Sequence, residues 1–133
     1  LLEVTKGLLE EAKSSFTAKY TEPVMVGFRK YYQILTGTEC ENYQMDANTK
    51  LQVIDGNMPR DIGYMSLGNR DLIGICMRMA LVEAMYEERK PFLILDDPFV
   101  NLDESRTRGA IRFLAEIAKE YQVIYFTCHS SRE

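Results

Sequence analysis

Apolar residues recur at helical spacing over residues 2 to 20, where Leu2, Leu8, Leu9, Ala12 and Phe16 alternate with lysine and glutamate. That pattern predicts an amphipathic helix. Pro23 marks a break, because proline removes a backbone donor and crowds the preceding turn. A second helix is predicted from about residue 24 to 35, with Val26, Phe28, Tyr31, Tyr32 and Leu35 as its apolar or aromatic positions and Gly37 as its stop. Two readings fit this region: the base of a coiled coil that continues upstream, or two surface helices packed on a sheet.

The pattern changes over residues 42 to 65. Tyr43 to Asp46 and Leu51 to Ile54 partly alternate and flank Ala47 to Lys50, which predicts a β-hairpin with a short loop. Asp55-Gly56-Asn57 reads as a turn, and Pro59 is expected to block further ladder pairing. Residues 69 to 88 then form the strongest helical pattern, with Leu72, Cys76, Met79, Val82 and Tyr86 on one stripe. Ile73, Met77, Ala80, Ala84 and Met85 widen it, so heavy burial is expected. Its methionines read as core filling rather than a cofactor box. Phe92 to Leu95 is expected to be a short buried strand and residues 104 to 119 an amphipathic helix. Val123 to Thr127 reads as a second strand. Strand, helix, strand in that order predicts a parallel pair with a right-handed crossover and an α/β second half.

Composition narrows the class without naming a function. The chain has 133 residues, 46% hydrophobic and 27% charged, which is enough for one domain with its own core. Its formal charge of −4 is not that of a basic nucleic-acid module. The three cysteines, Cys40, Cys76 and Cys128, are widely spaced, and His129 is the only histidine, so a zinc site is not expected. Cysteine usage fits a reducing cytoplasm. Neither a membrane-spanning run nor a signal peptide is visible. The chain starts at Leu1 in helical sequence and is expected to be a piece of something longer.

Three places carry candidate chemistry. Asp96 and Asp97 close the apolar run Phe92-Leu-Ile-Leu95, at the end of a parallel strand where open α/β folds bind ligands. One carboxylate there can hold magnesium, largely through water, and a second can orient a water for attack on a phosphate. The alternative is an acidic turn with Pro98 setting the bend. His129 follows the second strand, as either a capped loop residue or a phosphate contact. Ser66-Leu67-Gly68-Asn69 opens the strongest helix, as either a plain N-cap or an anion-facing turn.

Taken in order, these segments resemble the C-terminal lobe of an ABC-type ATPase head. Met65 to Asn69 resembles the signature loop, Phe92 to Asp97 the Walker B strand, Asn101-Leu102-Asp103 the D-loop, and Thr127-Cys128-His129 the switch histidine. The helical segment that passes into a hairpin ahead of the signature looks like the heads of SMC, RecN and SbcC-type coiled-coil ATPases. The wording is most similar to bacterial YhaN-like and SbcC-like proteins. Asp97 stands where most members carry glutamate, Leu67 where glycine or alanine is common, and Asn69 where glutamine or glutamate is common.

The resemblance implies a layout of residues 1–40 as a helical coiled-coil base, 41–65 as a β-hairpin, and 66–133 as signature helix, Walker B strand, D-loop and switch histidine. It implies ATP and Mg2+ as cofactors, with Asp96 on the metal and Asp97 and His129 as catalytic residues. Ser66, Gly68, Asn69 and Asp103 are implied at the nucleotide or across the dimer interface. Implied partners are an N-terminal Walker A lobe of the same protein, a second head, DNA and a nuclease. None of the eight glycines is followed by lysine, so the phosphate-cradling G-x-x-x-x-G-K-[ST] loop is absent and the chain reads as half a head. A transporter nucleotide-binding subunit, a non-catalytic lobe used for dimerisation and an unrelated phosphohydrolase are the alternatives.

Overall fold

A computed structural model describes residues 1–46 and 48–128 of the chain. Its first element, α1 (Leu2–Thr36), is one helix of 35 residues rather than two. Pro23 sits inside it. The expected break fails because packing begins at the next residue: Val24, Met25, Phe28, Tyr31 and Leu35 are all buried, and tertiary contacts override a local penalty of about 3 kcal/mol for an interior proline. Gly37 ends the helix as expected. It adopts a left-handed φ of 73°, and its N–H donates to the Gln33 carbonyl at 2.8 Å. The first half of α1 leaves Leu2, Val4, Leu8 and Leu9 exposed.

A three-stranded antiparallel sheet follows, β1 (Tyr43–Met45), β2 (Leu51–Asp55) and β3 (Met58–Asp61). The third strand corrects the expectation at Pro59. That residue pairs with Ile54, and it is tolerated because β3 is an edge strand with a free outer side. Gly56 and Asn57, at φ 55° and 73°, make the tight turn between β2 and β3, as the positive-φ positions of a two-residue hairpin loop require. A 3-10 turn (Ile62–Tyr64) leads to α2 (Leu67–Met85).

The second half is β4 (Leu93–Asp96), α3 (Glu104–Ile117) and β5 (Val123–Phe126), with β4 and β5 parallel and Leu93 opposite Val123. The core lies where α1 packs on α2 and α3. Leu72, Ile73, Cys76, Met79 and Ala80 of α2 and Ala110, Phe113 and Ile117 of α3 are buried there. Phe113 makes edge contacts with Tyr31 and Phe99, at centroid distances of 5.6 and 6.1 Å. The parallel sheet is covered on one face only. Leu93, Leu95, Val123 and Tyr125 pack on the core, whereas Phe92, Ile94, Ile124 and Phe126 are 62%, 58%, 39% and 56% exposed. The expectation of a fully buried strand therefore holds for one face of β4. Among the described residues no helix is long and apolar enough to cross a membrane.

One ion pair ties α1 to α2. Lys30 Nζ lies 3.0 Å from Glu83 Oε1. Partial burial alone would raise the Glu83 carboxyl, but hydrogen bonds from Lys30 and Tyr31, with the charges of Lys30 and Lys90, outweigh it and hold it below its ordinary value. A depressed carboxyl contributes stability above its unfolded pKa and loses it as pH falls through the folded one. Glu83→Gln is therefore expected to lower stability at neutral pH and to match the parent chain in strong acid. Urea melts at the two pH values check this.

Candidate functional site

The parallel register brings the ends of β4 and β5 together. The Asp97 N–H donates to the Phe126 carbonyl at 2.8 Å, carrying the ladder one residue past β4. Strand pleating leaves Asp96 exposed, at the rim of a cleft of about 440 Å³ whose lining includes Arg70, Asp71, Arg78, Asp97 and Pro98. Asp97 turns the other way. Its φ is 39°, in the left-handed region, and its Oδ2 accepts a hydrogen bond from Cys128 Sγ at 3.3 Å. His129, expected beside this pair, lies outside the described residues.

Magnesium keeps most of its water and needs one or two protein carboxylates, with substrate phosphates completing its shell. The exposed Asp96 carboxylate at a strand end fits that role. Among the described residues no group of three or more His, Cys, Asp or Glu could cage an ion.

Ser66 is the N-cap of α2, its Oγ accepting from the Asn69 N–H at 3.4 Å. Ser66 and Leu67 are exposed at the helix start, where unpaired amides and the helix dipole favour an anion. Gly68 has a specific neighbour: a Cβ there would come within 2.6 Å of the Asn101 carbonyl oxygen. Asn101 in turn donates from Nδ2 to Asp71 Oδ2 at 2.6 Å. The Asn69 carboxamide faces Arg106, whose NH1 donates to Oδ1 at 2.5 Å. Asp103 caps α3, accepting from the Arg106 N–H at 2.9 Å and from Ser105 Oγ at 2.7 Å. Hydrogen bonds from Ser105 and from the Arg106 amide hold its carboxyl below the ordinary aspartate value.

Two clusters result, Asp96 with Asp97 and Cys128, and Ser66 to Asp71 with Asn101 to Arg106. The cleft spans both, since Arg70 and Asp71 of the second cluster line it beside the acid pair. Sequence reasoning did not pick out Arg106, Asp71 or the Cys128 contact. The available signal was the set of polar residues in the first turns of α2 and α3, which a helix N-terminus alone also explains.

The arrangement, a capped helix start, a parallel strand ending in acids and a crossover helix, is similar to that of SMC head domains. The chain superposes on the SMC head domain from Thermotoga maritima with a TM-score of 0.59 and 20% identity, over 95% of this chain and 43% of that one. On the Smc head domain with an extended coiled coil from Pyrococcus furiosus, bound to the C-terminal domain of ScpA, the TM-score is 0.62 at 18% identity. That match covers 98% of this chain and 34% of the other. In sequence, 80 residues are 30% identical to the DNA double-strand break repair Rad50 ATPase of Archaeoglobus fulgidus. They make up 60% of this chain and 9% of that protein. No family model matches.

Proposed function

We propose that this chain is the signature and Walker B half of an ATPase head, and that it works only when joined to a Walker A lobe and to a second head. One observation carries the reading: the acid pair ends a two-stranded parallel sheet whose outer face, Phe92, Ile94, Ile124 and Phe126, is apolar and open. Such a face beside a ligand-binding strand end is what a missing lobe of the same sheet would cover.

In this reading Asp96 holds Mg2+, which when bound neutralises charge on the ATP phosphates. Asp97 polarises the attacking water and His129 contacts the γ-phosphate. Ser66 and Gly68 reach nucleotide held by the opposite head, with Asn69 fixing their turn and Asp103 acting across the interface. ATP-driven engagement of two heads then moves the coiled coil that α1 begins. The Rad50 relative, named for DNA double-strand break repair, supports work on DNA, and the family resemblance extends this to chromosome maintenance, a nuclease partner and a cytoplasmic location.

Titration calorimetry tests the half-head reading. The isolated chain is expected to show no binding at micromolar Mg-ATP, and the full-length protein to bind and hydrolyse it. Micromolar affinity in the isolated chain overturns the reading.

A further inference from the structure

The signature turn and the D-loop are joined by three contacts that no single motif explains. Arg106 NH1 donates to Asn69 Oδ1 at 2.5 Å, while its Nε lies 3.8 Å from Asp103 Oδ2, so one guanidinium spans both segments. Asn101 Nδ2 donates to Asp71 Oδ2 at 2.6 Å. The Asn101 carbonyl oxygen lies so close to Gly68 that only a residue without a Cβ fits. Beside these contacts, Tyr32 and Thr36 of α1 and Tyr43 of β1 line one small pocket together with Asn69 and Arg106.

We propose that Arg106 is a positioning residue: with Asn101 it bolts the signature turn to the D-loop, so that both present to a second head as one rigid body. The inference rests on the composite-site reading above and adds what holds the turn in place. Guanidinium is suited to this because its planar fork addresses two acceptors at once. Arg106 is half-buried and Asn69 likewise, so the hydrogen bond between them is shielded from competing water. Asn69 also gains a role that its length accounts for. It reaches Arg106 within the same lobe, and its side chain is not available to the nucleotide while that bond is made.

The test uses full-length protein and reads the ATP concentration for half-maximal head dimerisation, by light scattering, together with KM and kcat. Arg106→Ala is expected to raise the dimerisation midpoint and KM about tenfold, the size of one charge-assisted hydrogen bond, with a much smaller change in kcat. Arg106→Lys keeps the charge without the fork and is expected to recover part of the loss. Asn69→Ala added to Arg106→Ala is expected to cost little more than either alone, since both break one bond. Additive effects of the two, or an unchanged midpoint in both Arg106 variants, overturn the bolt. Ser66→Arg separates the two ideas. It is expected to abolish ATP-dependent dimerisation, and if it does not, the composite-site reading fails first. If Arg106→Ala does not fold, the Lys variant carries the test, and parent-like KM and midpoint in it, with Asn69→Ala also parent-like, overturn the proposal.

Discussion

Gly109→Ala is expected to destabilise the chain by roughly 3 kcal/mol, at the upper end of overpacking costs. In an exposed helix the same change stabilises by about 1 kcal/mol, because alanine is the better helix former. Here the sign reverses. A Cβ at Gly109 would overlap the Leu35 carbonyl oxygen and lie 3.3 Å from the Leu35 Cα. Both are backbone atoms in the last turn of α1, which Gly37 has just capped, so no side-chain rotation relieves the clash. Separation of α1 from α3 would relieve it, and would open the contact between Tyr31 and Phe113 and expose Leu35 and Ala110. Gly74, in α2 with no atom near its absent Cβ, supplies the control: Gly74→Ala is expected to stabilise slightly. Urea denaturation of the three chains reads both effects. A stabilised Gly109→Ala chain would mean that α1 and α3 are not held at this distance.

The same pair of glycines shows what was legible in the sequence. Glycine at 109 and glycine at 74 look alike as interruptions of helical pattern, and nothing local says which one another helix touches. The elements with strong periodicity or sharp punctuation were readable: α2, α3, β4, β5, the Gly37 stop and the Gly56-Asn57 turn all lie within a few residues of expectation. Pro23 and Pro59 misled for one reason. Their local cost is real, but in one case packing from Val24 onward outweighs it, and in the other an edge position removes it. The adjacency of Asp97 to the end of β5 followed from parallel topology and is met by Cys128. The ties from Asn69 to Arg106 and from Asp71 to Asn101 span 37 and 30 residues, and pairings of that separation leave no period in a single chain.

Asp97→Asn in the full-length protein is expected to slow ATP hydrolysis about 100-fold or more, the range for removing a general base, while ATP-dependent dimers persist. The geometry makes this substitution a clean one. Asp97 has φ 39°, a region where asparagine is at least as comfortable as aspartate and longer side chains are disfavoured. The amide keeps the size of the carboxylate, and its oxygen can still accept the hydrogen bond from Cys128 Sγ, so that contact is kept while the negative charge is lost. Asp97→Glu separates charge from reach. It restores the residue usual at this position in the resembling ATPases, but it places a longer side chain on left-handed backbone, at a cost of order 1 kcal/mol or more. If the acid's charge is what matters, the Glu variant turns over while the Asn variant does not, and thermal melts show the Glu chain as the less stable. If instead Asp97 only closes the turn with Cys128, the Asn variant hydrolyses ATP at the parent rate, and the acid that activates water must be sought elsewhere in the assembled head.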